Sequence, residues 1–260
     1  MTGSIPRDSA TDHVLNPANT ALILIDYQPR QISNVSAIDR NWMLGNLVAL
    51  VETAKLFDLP IMLSTVNMKT TGGTIPQLQR ILPDAQPVDW TTINAWQDPE
   101  FRGAVERTNR RKLIIAALWT EACLLFPTLD TLSEGFEVYP ATDCVGGTSV
   151  EAHERAIERM VQAGARPTTW VSVACELQRD RAHTAAAKGF AGLLAQYLAS
   201  FGTEVALDEW LRAQGQARPH RSARPERQRT SHDLSLIALR PSSRLAWQVA
   251  LAGTSAPLRR

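Results

Sequence analysis

Residues 112–135 read KLIIAALWTEACLLFPTLDTLSEG, and a change of period inside them decides the fold. Residues 112–118 form an apolar, partly β-branched run of strand length, while from Thr120 onward Cys123, Phe126, Leu129 and Leu132 recur every three residues. The stretch predicts a buried strand, a tight turn and a helix. Thr120 suits the N-cap and Glu121 the first turn, which places Cys123 about three residues into the helix, near its positive end. There the helix dipole and the unpaired first-turn N–H groups lower a thiol pKa, and the same N–H groups can hold the oxyanion formed when a thiolate attacks a carbonyl. Free cysteines are among the most buried residues, so this stretch alone leaves two readings, a nucleophile or a small apolar side chain, the second being the commoner kind.

Working outward, residues 21–25 of TALILID are a continuous apolar strand ending at Asp26. A carboxylate at the carboxyl end of a buried parallel strand stands where open α/β sheets place their ligand crevice, although an Asx-turn would use it equally well. Tyr27, Gln28 and Pro29 continue the loop, and an amphipathic helix follows over 42–57. A second strand covers 60–66. Residues 67–76 form a Thr- and Gly-rich loop with Lys69 and the pair Gly72-Gly73; no GxxxxGK[ST] or GxGxxG follows a strand, so this is no phosphate cradle. A helical turn is expected at 76–82, an extended piece with two tryptophans at 88–96, and a helix opened by Pro99 running to about Arg107. Beyond the central stretch come a strand at 136–141, a helix at 150–163, a last strand at 167–171, and helices at 174–181 and 185–200. Apolar strands alternating with helices mean a doubly wound α/β domain, a parallel sheet covered on both faces. Its site lies at the strand carboxyl ends, bringing Asp26, the 67–76 loop, residues 89–96 and Cys123 to one rim.

The net charge of +1 over 260 residues hides a break in composition. Ten of the 27 basic residues are arginines between Arg212 and Arg260, opposed by Glu226 and Asp233 alone, which leaves 17 basic against 24 acidic residues before position 211. Three units are therefore expected: an N-terminal arm (1–18), the catalytic-type domain (19–210) and an Arg-rich, poorly ordered basic C-terminal tail (211–260). The tail reads as a solvated segment or an arm for RNA or another anionic surface, but no aromatic interleaves with its arginines as single-strand binding favours. Three unpaired cysteines, Cys123, Cys144 and Cys175, argue for reduced thiols and a cytoplasmic setting. The first 20 residues carry no apolar signal core, and no run approaches the roughly 20 apolar residues that cross a bilayer.

The set ILIDYQ, TTINAW and ALWTEACLLFPTLDTLSEGFEVYPATD, followed by HERAIERMVQAGA and TTWVSVACELQRD, resembles the isochorismatase-like cysteine hydrolases, in particular their YcaC-like branch, over residues 14–182. The resemblance implies a Rossmann-like sheet of six parallel strands, no cofactor, hydrolysis of a C–N bond in a small amide or ureido compound, and a homo-oligomer. It also implies roles. Asp26 is the proton carrier and Cys123 the nucleophile; Leu118-Trp119 is a cis peptide, and the N–H groups of Trp119 and Cys123 form the oxyanion hole. The small-molecule pocket falls to Tyr27, Gln28, Trp90, Asn94, Trp96 and Leu118. The sequence departs from the pattern at the third triad member, a Lys or Arg in relatives, where Asp89 and Trp90 stand here. Loss of that cation is expected to raise the pKa of both Asp26 and Cys123, with Lys69 as a substitute cation, or to leave a weakened protein that serves as a binder or assembly unit. The Asp-x-His pattern of metal-holding relatives is missing from the second-strand loop, so no metal is expected. His153 reads as a packing or interface residue.

Overall fold

The computed structural model describes residues 12–180 and 184–214. The arm before residue 12 and the Arg-rich tail from 215 onward lie outside the described residues.

In chain order the elements are β1 (Thr20–Ile25), α1 (Pro29–Ser33), α2 (Arg40–Leu56), β2 (Ile61–Val66), α3 (Met68–Thr71), α4 (Pro76–Ile81), β3 (Val88–Trp90), a 3₁₀ turn (Ala95–Gln97), α5 (Pro99–Arg107) and β4 (Lys112–Ala117). A π-helical turn (Thr120–Leu124) then leads into α6 (Leu125–Ser133), followed by β5 (Glu137–Pro140), α7 (Val150–Gln162), α8 (Trp170–Gln178), α9 (Thr184–Tyr197) and α10 (Ala199–Ala213). The strands pair in parallel in the order β3-β2-β1-β4-β5. Every residue of β1 and β4 is buried. Because successive side chains on a strand point to opposite faces, the sheet is covered on both. Burying each Leu or Ile of these runs contributes about 2 kcal/mol, which is why the central strands read as unbroken apolar blocks.

Helix starts follow local chemistry. Asp39 caps α2 through Trp42 N, Asp98 caps α5 through the N–H groups of Glu100 and Phe101 with Pro99 next, and Ser149 caps α7 through Ala152 N. One charged residue breaks the apolar rule. Lys112, 2 % exposed at the amino end of β4, donates to the carbonyls of Asp12 and Val14 and to Tyr139 Oη.

Two expectations are corrected. The sheet has five strands among the described residues, not six, because 167–171 is not a strand: Thr168 makes a single parallel bridge to Ala141 and the chain then enters α8. Thr169 Oγ1 accepts from Ser172 N and the Asp143 carboxylate accepts from Trp170 N, so two caps start a helix where β-branched residues suggested extension. The signal was present, since Trp170, Val173, Ala174 and Leu177 are buried at helical spacing. At the other end, α10 runs through position 211, where a tail was expected to begin. No single helix among the described residues is long and apolar enough to cross a membrane; α9 and α10 together reach that length but are bent by 107°.

Candidate functional site

The direction of chain progression reverses between β1 and β4, and in such sheets the crevice opens at the carboxyl ends of those two strands. Asp26 follows β1 and Leu118-Trp119 follows β4, side by side: Ile25 pairs with Ala117, and Leu118 N donates to Ile25 O at 3.1 Å. Asp26 leaves its strand in the left-handed region (φ 62°), unusual for a residue other than glycine, and is held there by Asp26 N to Ser64 O (3.2 Å) and by Gln28 N to its own carbonyl (2.7 Å). The Leu118-Trp119 peptide is cis, as the resemblance implied. The chain after it is a π turn rather than an α-helical first turn, a local widening common at functional sites.

The expected Thr120 cap is not formed. Trp119 occupies the cap position, and the Thr120 hydroxyl instead meets His153 Nδ1 at 2.9 Å, while Thr120 N donates to Gly146 O. Glu121 is drawn the same way, Oε1 accepting from Thr148 N and Thr148 Oγ1. Tertiary partners thus anchor the turn that carries Cys123. His153 was read as a packing or interface residue, and the hydrogen bond to Thr120 is a role that its position on a helix does not signal.

Cys123 is 9 % exposed and Asp26 not at all. Their side chains face each other closely enough for the thiol to act as a donor toward the carboxylate, although neither Asp26 oxygen has a partner at full hydrogen-bond distance and angle. Burial pushes the Asp26 carboxyl up to about 8; the thiol opposes that rise and the negative charge of Asp89 adds to it. Burial, then the charge and proximity of Asp26, push the Cys123 thiol well above its usual range, against a favourable Trp119 N–H. The helix terminus does not lower this thiol pKa as the sequence suggested, because desolvation outweighs one turn of dipole. The N–H groups of Trp119 and Cys123 have no acceptor outside their own helical segment among the described residues.

The remaining expected residues divide. Gln28 is fully buried and clasps the 66–72 segment, accepting from Val66 N and donating to Thr71 Oγ1 and Gly72 O. Leu118 lies in the core beside Asp26. Tyr27 is also buried, its hydroxyl spent on Cys144 O at 2.7 Å. Trp90 packs edge-on against Phe101, and its indole N–H is buried with no acceptor among the described residues. Asn94 directs its amide to Asp130 on α6 and Trp96 its indole N–H to Glu134 just past the end of α6, not to Asp26 or Cys123, and Trp96 lines a separate cleft of about 640 Å³ with Arg102. Lys69 is exposed on α3 and is not among the charges that act on Asp26 or Cys123. Asp89, at the position of the expected cation, accepts from Thr65 Oγ1 and Met68 N, each at 2.9 Å. Among the described residues no group of three His, Cys, Asp or Glu is placed to hold a metal ion.

An isochorismatase domain profile matches residues 20–172. The probable hydrolase YcaC of Escherichia coli K12 is 38 % identical over 171 residues, 64 % of this chain and 81 % of that protein. The crystal structure of E. coli YcaC, an octameric hydrolase of unknown specificity, superposes with TM-score 0.73 at 35 % identity, covering 77 % of this chain and 98 % of that one. YcaC from Pseudomonas aeruginosa, solved with hexane-2,5-diol and covalent acrylamide, gives TM-score 0.72 at 33 % identity, covering 76 % and 98 %.

Proposed function

Because the chain belongs to the isochorismatase family, in its YcaC-like branch, we propose that it is a cysteine hydrolase that opens a C–N bond in a small amide or ureido compound through a thioester on Cys123. The observation that carries the reading is the pairing of Asp26 with Cys123 across the point where the sheet reverses, with the Trp119 N–H directed at the sulfur. Ionised Asp26 takes the thiol proton as the sulfur attacks the carbonyl carbon. The N–H groups of Trp119 and Cys123 receive the oxyanion, Asp26 returns the proton to the departing amine, and a water deprotonated by Asp26 then cleaves the thioester. With the carboxyl near 8, roughly one Asp26 in ten is ionised at pH 7, so the resting site is mostly doubly protonated. That same resting state favours a second reading, a weakened family member that binds small molecules without turning them over. By likeness to the octameric relative, the protein works as a homo-oligomer.

Acrylamide is the probe, since a related protein holds it covalently. Intact mass and peptide mapping are expected to find one adduct on Cys123, lost in Cys123→Ala and slowed at least tenfold in Asp26→Asn. A wild-type protein that labels Cys144 or Cys175 in preference to Cys123, and hydrolyses no small amide in a screen against Cys123→Ala, rules out the hydrolase and leaves the binder.

A further inference from the structure

Asp26 is a buried carboxylate without a counter-ion among the described residues. It has no exposed surface, and among the described residues only the Cys123 thiol approaches its oxygens as a donor, short of full hydrogen-bond geometry. The charge acting on it is that of Asp89, and the charges acting on Cys123 are those of Asp26 and Glu121. All three are acids, and among the described residues no Lys, Arg or His belongs to the set. Glu121 Oε2 is itself buried and unpartnered.

The sheet register shows why these charges converge. Ile25 pairs with Ser64 and Thr65 pairs with Asp89, so Asp26, Thr65 and Asp89 form a row across the carboxyl ends of three neighbouring strands. Thr65 cannot neutralise either acid. Its hydroxyl donates to Asp89 Oδ1, and Asp89, unlike Asp26, is exposed. A buried carboxylate with no partner holds a proton or waits for a cation, since an uncompensated charge in such surroundings costs several kcal/mol. Lys69, on the nearest loop, points its charge into solvent.

From this one-signed site we infer that the substrate brings its own positive charge, an amino, amidino or guanidino group close to the scissile C–N bond, which lodges beside Asp26 and Asp89 and serves as the counter-ion that the described residues do not supply. The inference rests on the hydrolase reading and narrows it to cationic amides and ureido compounds. It also gives the resting site a logic. A bound cation favours the ionised form of Asp26, so the base is generated when substrate is present and the thiol stays protonated when it is not.

The test compares labelling of Cys123 by three small methanethiosulfonates: the 2-aminoethyl (positive), methyl (neutral) and 2-sulfonatoethyl (negative) reagents. Rates are taken at pH 7 and low salt, read by peptide mass, and each is divided by its rate with a neutral small-molecule thiol. The full-length protein is used, with Cys123→Ala as the blank for Cys144 and Cys175. Wild type is expected to favour the positive over the negative reagent by on the order of tenfold or more. Asp89→Asn, which keeps an oxygen for Thr65 and Met68, is expected to reduce that ratio, and Asp89→Lys to bring it below one. A wild-type ratio near one or below, or a ratio unmoved in both variants, overturns the cationic-substrate inference and leaves the hydrolase standing. If no reagent reaches Cys123 while Cys175 labels, the hydrolase reading fails and the inference fails with it.

Discussion

Replacing Asp26 by Asn isolates the protonation of a single buried acid. In the folded chain the Asp26 carboxyl is held near 8, against 3.8 in an exposed chain, chiefly by burial. The sign follows from the two states. Below about pH 4 both carry the proton and Asp26 contributes no pH dependence. Between about 4 and 8 the unfolded chain gives up a proton that the folded chain keeps, so stability falls by about 1.4 kcal/mol per pH unit, and above 8 the slope vanishes. The accumulated cost is roughly 6 kcal/mol, comparable with the whole stability of many domains. Asn cannot ionise and has nearly the same shape, so Asp26→Asn escapes this cost. Guanidinium chloride unfolding of both proteins at pH 5, 7 and 9, at one protein concentration and under reducing conditions, is expected to show the variant gaining on wild type by about 4 kcal/mol from pH 5 to 9. The comparison cancels other titrating groups, Asp143 included, since both chains contain them. Parallel stability curves, with a difference constant to within about 1 kcal/mol, would refute the picture of a dry, unpaired carboxyl and require water or a counter-ion beside Asp26.

Alkylation of Cys123 by iodoacetamide is expected to accelerate with pH through a limb at about 8 or above, where Asp26 and then the thiol ionise. Asp89 stands two strands from Asp26, about 10 Å by strand spacing, and at an effective dielectric of about 20 its removal in Asp89→Asn lowers that limb by roughly one pH unit; an unmoved limb disproves the coupling. Gln28→Ala strips Val66 N, Thr71 and Gly72 of their partner and is expected to cost about 2 to 4 kcal/mol, with faster amide exchange confined to residues 66–72; protection unchanged there counts against Gln28 as the clasp. Lys112→Met removes the buried ammonium that donates to the carbonyls of Asp12 and Val14 at the sheet's amino end, so melting temperature is expected to fall while labelling of Cys123 per folded molecule stays at the wild-type rate.

What the sequence made legible was whatever is encoded within a turn or two. Pro99–Arg107 matches its expectation end for end, because an Asp-Pro pair starts the helix without help from elsewhere. The strand carrying Lys112 and the one ending at Asp26 were plain from their apolar runs, and their parallel pairing at the sheet reversal put Asp26 and Cys123 on one rim. The failures share a cause. Thr120 is a good cap by type, yet a histidine on α7 holds its hydroxyl. Residues 167–171 are extended by composition, yet Asp143, distant in sequence, captures Trp170 N and begins a helix. Trp96 reads as a wall of the cysteine pocket, but Glu134 takes its indole N–H.

The protonation state of the site falls in the same class and for a stronger reason. That Asp26 ends a buried strand is a local fact, and so is the position of Cys123 in the turn after another strand. Whether either group is ionised depends on the difference between a helix terminus that favours the thiolate and burial that disfavours it. These terms are of opposite sign, and only the packed structure fixes the second. The sequence named the favourable term and missed the larger one. It did register that a cation is lacking at Asp89, and the structure turns that departure into a prediction with a direction: where the described residues place Asp26 and Glu121 around one thiol, Asp89 beyond Asp26 and no positive partner, reactivity toward Cys123 is expected to sort small electrophiles by charge before it sorts them by shape.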